Sequence, residues 1–295
     1  MNSIASRPVV VGVDGSDASV AALDWALTEA RVLRVPLRIV HAVQWPLLPL
    51  PPRSYPLGTG DDTARTAGER VLAEAACRCV TAAPDVTVEI ELVIADPTGA
   101  LLQQSASASL VVVGATGAGE LTGVVLGSVA DVVATKARCP AVVVRRPSAA
   151  DGPVVVGIDG SPGADTAFDF ALQHADRRRV PLIAMYAWHG VASYGPGVML
   201  PLVVDWELVA EEARRGLAEA IAGWSEKYPD VTVEQRVVRA HPVQALADAG
   251  RFAQLLVVGS RGHGGYVGLL LGSVAQGLVH HGPCPVAVVH QGALR

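Results

Sequence analysis

Charge is scarce in this chain of 295 residues: 17% are Asp, Glu, Lys or Arg, against 51% hydrophobic. The formal net charge of −5 leaves no basic footprint, which argues against nucleic acid as a main partner. No apolar run reaches transmembrane length without an interrupting Gly, Pro or charge, so membrane insertion is not expected. The stretch from Met1 to Pro8 lacks the apolar core of a signal peptide. Four cysteines in a chain this long do not make a disulfide framework. A reduced cytoplasm is the expected home. Two common nucleotide motifs are also missing. There is no G-x-x-x-x-G-K-S/T phosphate loop, and Gly12-Val13-Asp14-Gly15 does not fit the dinucleotide fingerprint G-x-G-x-x-G. No Ser/His/Asp or Cys/His grouping supports nucleophilic catalysis.

What the chain does have is a pattern written twice, 145 residues apart. Gly114 and Gly117, then nine residues, then Gly127-Ser128 recur as Gly259 and Gly262, nine residues, and Gly272-Ser273. The same offset lays Asp14-Gly15-Ser16 on Asp159-Gly160-Ser161, Pro36-Leu37 on Pro181-Leu182, Pro97 on Pro242, and Cys139-Pro140 on Cys284-Pro285. A register held over so many landmarks means two copies of one domain with almost no net insertion. The length and apolar content allow each copy its own core.

Each half alternates short β-branched runs with longer helical patterns. In the first, residues 9–13, 37–43, 86–93, 110–114 and 141–145 read as strands, and 18–34, 63–82, 99–108 and 128–136 as helices. Several strands are apolar almost throughout, as parallel strands covered on both faces should be. Ser16-Asp17 and Thr98 serve as N-caps, Pro36 and Pro84 as stops. The second half has strands at 154–158, 182–188, 231–238, 255–259 and 286–290. The expected architecture is α/β: two tandem, doubly wound, five-stranded parallel-sheet domains, Rossmann-like, with strand order 3-2-1-4-5. Domain boundaries fall at 1–146 and 153–295, with 145–152 as a short polar linker. Two longer connections, 44–62 and 189–204, are rich in Pro and Gly and carry Trp45, Tyr55 and Tyr194. Such lengths suit lids or contact surfaces as well as plain surface loops.

In an open parallel sheet the ligand crevice lies at the carboxyl ends of the strands, where strand order reverses. Asp14 ends the first strand and Gly114 the fourth, so Asp14 and loop 114–128 should meet in one crevice; Asp159 and loop 259–273 should meet in another. Gly114 and Gly117 let the backbone turn tightly and bring amides to an anion. Gly127-Ser128 opens the next helix, whose free N–H groups and dipole favour a phosphate. Asp14 and Asp159 are acceptors for a ribose hydroxyl or for a metal ion riding on phosphates; their structural alternative is to cap the following helix.

The strand–Asp-Gly-Ser start, the Gly-x-x-Gly-(nine)-Gly-Ser pattern and the Cys-Pro before a final strand resemble the universal stress protein family. The likeness covers essentially the whole chain, as a tandem of two such domains of a type common in actinobacteria. It implies ATP with adenine near the end of strand two, ribose near the strand-one Asp and phosphates on the glycine loop, with Mg2+ accompanying them. Carried onto this chain, the first site is Gly12, Asp14, Val43, Gly114, Thr116, Gly117, Gly119, Gly127, Ser128 and Val129. The second is Gly157, Asp159, Trp188, Gly259, Ser260, Arg261, Gly262, His263, Gly264, Gly265, Gly272, Ser273 and Val274. The resemblance also implies a homodimer through the final strands or helices. A regulated protein partner is expected, and the sequence does not name it.

The two copies are not equal. Where the second loop has Arg261, His263 and Gly265, the first has Thr116, Ala118 and Glu120. A missing cation and an added anion facing a triphosphate each cost about 1 kcal/mol in a partly wet site, roughly tenfold in affinity or more together. The second site should then bind ATP more tightly, unless Glu120 faces solvent or holds magnesium. His41 reads as a core histidine, and His280-His281 as partners of a helix C-terminus. Cys139 and Cys284 read as small buried residues, and Cys77 and Cys79 fall on different faces of a helix, unlike a metal site. The expected function is an ATP-binding sensor or regulator in stress or dormancy, without rapid turnover. A slow ATPase or adenylyl-transfer enzyme, and a nucleotide-free scaffold, are the alternatives.

Overall fold

The structure, a computed structural model, describes residues 7–44, 60–117, 126–149, 151–188, 206–224, 227–262 and 271–292. The connections carrying Trp45, Tyr55 and Tyr194 lie outside those residues, as do Ala118, Gly119 and Glu120 of the first glycine loop and His263, Gly264 and Gly265 of the second. The chain divides into two compact units, Met1–Pro147 with Pro285–Arg295, and Ser148–Cys284.

The first unit contains β1 (Val9–Gly12), α1 (Asp17–Leu33), β2 (Leu37–Val43), α2 (Gly60–Ala82), β3 (Val88–Ile94), α3 (Pro97–Gln104), β4 (Leu110–Gly114), α4 (Ser128–Lys136) and β5 (Ala141–Val144). Its strands run in the order β3-β2-β1-β4-β5, all parallel. Val9, Val10 and Val11 at the centre are wholly buried, because α1 and α2 cover one face of the sheet while α3 and α4 cover the other. A strand covered twice has no polar face to show, which is why β1 reads as an unbroken apolar run. The remaining strand, β10 (Val286–Val289), belongs to this unit and pairs antiparallel with β5, Val286 opposite Val143.

The second unit repeats the plan. It contains β6 (Val154–Gly157), α5 (Pro162–Arg178), β7 (Leu182–Trp188), α6 (Trp206–Ala222), β8 (Val233–Arg239), α7 (Pro242–Gly250), β9 (Leu255–Gly259) and α8 (Ser273–His281). Its strand order is β8-β7-β6-β9, the counterpart of 3-2-1-4, again parallel. The strand expected to close this half is β10, which is grouped with the first unit.

Helix boundaries follow local chemistry. Ser16 caps α1 by accepting from the Ser19 N–H, and Ser161 caps α5 by accepting from the Ala164 N–H. Buried Ala22, Leu23, Ala26, Leu27 and Ala30 form the stripe that α1 turns to the sheet. Both α1 and α5 end on an arginine in the left-handed region, Arg34 at φ 55° and Arg179 at φ 54°. Each of those N–H groups returns to the last turn, and Pro36 and Pro181 follow two residues on. The cap of α3 is Asp96 rather than the expected Thr98: Pro97 occupies the first helical position, and the Asp96 carboxylate accepts from the Gly99 N–H at 2.9 Å. Among the described residues no helix is long and apolar enough to cross a membrane.

Candidate functional site

Each unit has a crevice at the carboxyl ends of its strands, and the glycines shape it. Gly15 and Gly160 take φ of +82° and +77°, turning the chain sharply between the strand-end aspartate and its helix. Gly114 lies so close to α1 that a Cβ there would stand 2.7 Å from the Ala18 carbonyl carbon and oxygen. Gly259 meets the backbone of Gly163 in the same way, at 3.0 Å. This close approach brings the glycine loop against the first helix. The loop is then closed by one backbone bond in each copy, Gly127 N–H to Ala115 O and Gly272 N–H to Ser260 O, both 2.8 Å.

The aspartates lie at the centre. Asp14 Oδ1 accepts from Ser16 N at 3.0 Å and from Ser16 Oγ at 2.6 Å, and Asp159 Oδ1 accepts from Ser161 N at 3.0 Å. Their other oxygens turn toward the glycine loop. A Cβ built on Gly117 would lie 3.0 Å from Asp14 Oδ2, and one built on Gly262 would overlap Asp159 Oδ2. Asp and glycine loop therefore meet as the topology requires. Helix capping falls to Ser16 and Ser161, which leaves each aspartate to orient the turn and face the crevice.

The helices that follow the loops begin differently. Gly127 and Gly272 are the N-caps of α4 and α8, and neither helix start carries a side-chain cap. Such first-turn N–H groups, with the positive end of the helix dipole, are a natural seat for an anion.

The first cavity has a volume of about 410 Å³ and the second about 630 Å³. Gly12, Asp14, Gly114, Thr116, Gly117, Gly127, Ser128 and Val129 line the first. Gly157, Asp159, Gly259, Arg261, Gly262, Gly272, Ser273 and Val274 line the second. Three expected residues stand elsewhere. Ser260 is buried beneath the loop it closes. Val43 turns toward α2, its Cγ2 3.0 Å from where a Cβ on Gly68 would lie. Trp188 lines a separate depression with Glu207, Leu208 and Arg239, whose guanidinium stands 5.8 Å from the indole ring. Side chains alternate along a strand, so Ala42 and Ala187, one residue earlier, line the crevices instead.

The sequence reading also missed the apolar wall. Val40, Pro97 and Leu101 line the first cavity, and Met185, Pro242 and Leu246 the second. The signal was available, because the proline and leucine lie four apart at the start of α3 and α7 and so share a face. Each crevice thus has an apolar end suited to a flat ring and a polar end suited to hydroxyl and phosphate. Among the described residues lining the cavities, Arg261 of the second stands where the first has Thr116.

Other titratable groups are placed away from this chemistry. His41 Nδ1 lies 2.7 Å from the Val13 carbonyl, so that nitrogen carries the proton. Burial pushes the Cys139 and Cys284 thiols up to about 12 and Cys79 to about 11, while Cys77 is exposed. Thiols this weakly acidic are poor nucleophiles. Among the described residues no group of three or more His, Cys, Asp or Glu is placed to hold a metal.

Comparison with known proteins identifies the family of the repeated domain. The pattern of the Universal stress protein family matches residues 5–145 and again 152–290. Universal stress protein Rv2005c of Mycobacterium tuberculosis is 40% identical over 291 residues, covering 96% of this chain and 97% of its own. Universal stress protein Rv2623 of the same organism is 37% identical over 297 residues, covering 97% of each. A universal stress protein from Archaeoglobus fulgidus DSM 4304 shares the fold over 96% of both chains, with a TM-score of 0.68 at 21% identity. With two copies of the domain in tandem, the chain belongs to the universal stress protein family.

Proposed function

We propose that both crevices bind ATP and that the chain is a cytoplasmic, nucleotide-responsive regulator in the stress response. The observation that carries this reading is the pairing, in each crevice, of an uncapped helix N-terminus with a strand-end carboxylate across one cavity. The first favours phosphate and the second a ribose hydroxyl, and the Val40–Leu101 or Met185–Leu246 wall accepts the base. Magnesium fits as an ion held chiefly by the phosphates, with Asp14 or Asp159 as a single protein carboxylate; that is how Mg2+ commonly binds with nucleotides. Arg261 makes the second site the tighter one for a triphosphate.

The reading is of binding rather than turnover. Nucleotide occupancy biases a partner surface, and the partners are a second copy of the chain and a regulated protein. Hydrolysis, where it occurs, is slow. The test uses Asp159→Ala and Gly262→Val in equilibrium dialysis with labelled ATP, with circular dichroism as the check on folding. Both variants should fold and lose the second site. Two folded variants that bind ATP like the parent overturn the assignment of that site.

A further inference from the structure

The two crevices share one plan but differ in charge along the stretch of chain that would follow a row of phosphates. Over residues 114–128 the first loop has no Lys, Arg or His and one acid, Glu120; over 259–273 the second has Arg261 and His263 and no acid. Among the described residues of those loops, Thr116 lines the first cavity and Arg261 the second. The helix starts differ in the same sense. Asp131 stands in the first turn of α4, while α8 has no acid in its first turn and carries Gln276 at the matching position. A carboxylate there already offsets the positive end of the helix dipole and leaves less of it for a bound anion. The cavities differ in size as well, about 410 Å³ against about 630 Å³.

We infer that the crevices take different members of one nucleotide series: the first prefers a nucleoside monophosphate and the second a triphosphate. This rests on the nucleotide reading above and goes beyond it, since a merely weaker copy of one site would keep the same order of preference. A single phosphate needs little more than N–H groups, and α4 offers them because its N-cap, Gly127, makes no side-chain cap bond. Each further phosphate adds negative charge and is held best by a cation. In the second loop Arg261 supplies that cation. The first loop has none in its sequence, and two carboxylates, those of Glu120 and Asp131, belong to the loop and to the first turn of the helix it enters. Affinity that rises with phosphate number in the second crevice therefore falls with it in the first. The chain then responds to monophosphate and triphosphate at once, each in its own unit.

The test is equilibrium dialysis with labelled AMP and labelled ATP in the presence of a chelator, which removes magnesium and leaves the phosphates their full charge. Gly262→Val isolates the first crevice and Gly117→Val the second; Asp159→Ala and Asp14→Ala isolate them again without altering the loops. In the isolated first crevice AMP should bind about threefold or more tighter than ATP, and in the isolated second ATP should bind about tenfold tighter than AMP. Thr116→Arg with Asp131→Gln, added to the isolated first crevice, should reverse its order of preference, a change that damage to the fold would not produce. A first crevice that favours ATP as the second does, or that takes neither nucleotide while the second takes ATP, overturns the inference. Failure of both nucleotides at both crevices overturns the nucleotide reading itself, and the inference falls with it.

Discussion

Gly262→Ala isolates the contact between glycine loop and aspartate. The methyl group would overlap Asp159 Oδ2, whereas the same change at Gly117 places its methyl 3.0 Å from Asp14 Oδ2. Neither glycine is in the left-handed region, so alanine strains no backbone at either position. To clear the methyl at residue 262 the carboxylate must swing, and the bond from Ser161 N at 3.0 Å resists that motion. Giving up such a bond costs about 1 kcal/mol, and misplacing a charged acceptor costs the ligand about 1.5 to 3 kcal/mol. If only part of this is recovered by relaxation, ATP affinity at the second site falls roughly 10- to 100-fold. Gly117→Ala asks for a shift of a few tenths of an ångström and should cost the first site about threefold or less. Calorimetric titration of both variants with Mg-ATP reads the difference directly. Gly262→Ala titrating like the parent, or Gly117→Ala suffering the larger loss, would refute the reasoning.

Gly114→Ala sets a Cβ 2.7 Å from the Ala18 backbone, which cannot rotate away, so the fold should lose about 1 to 3 kcal/mol, seen as a lower urea midpoint; an unchanged midpoint contradicts the close approach. Arg261→Ala should weaken ATP at the second site by about three- to tenfold and AMP by less, with added salt shrinking the gap; equal losses for the two nucleotides would place Arg261 away from the phosphates. The buried thiols give a pH dependence: Cys139 and Cys284 rise from 9.0 to about 12 in the folded chain, so between those values the unfolded chain releases protons that the folded one keeps. Stability present below pH 9.0 is therefore lost as pH rises toward 12, and replacing both cysteines with serine should flatten that part of the urea-midpoint curve. In native protein at neutral pH a thiol reagent should modify Cys77 alone, and rapid modification of Cys139 would contradict its burial.

The sequence read most clearly where one force acts at a time. Strand 110–114 and helix 128–136 have the expected ends because an apolar β-branched run stops at Gly114 and the helix opens after Gly127, and strand 37–43 begins directly after Pro36. The strand-end aspartates and their glycine loops were legible because parallel topology alone brings them together. Thr98 was misread as a cap because the turn is set by Pro97, which makes Asp96 the capping residue. Val43 and Trp188 were one step out of phase, a detail that depends on which sheet face each strand end presents, and apolar strands carry no alternation to show it. The antiparallel pairing of β10 with β5 has the same origin, since both runs, Ala141–Val144 and Val286–Val289, are apolar throughout.

The most direct test of nucleotide binding is calorimetric titration of the purified, nucleotide-stripped chain with Mg-ATP, after mass spectrometry of whatever co-purifies. The account predicts two saturable events per chain, the tighter one lost in Gly262→Val. No saturable heat, together with no co-purified nucleotide, would contradict it and leave the glycine loops as structural turns.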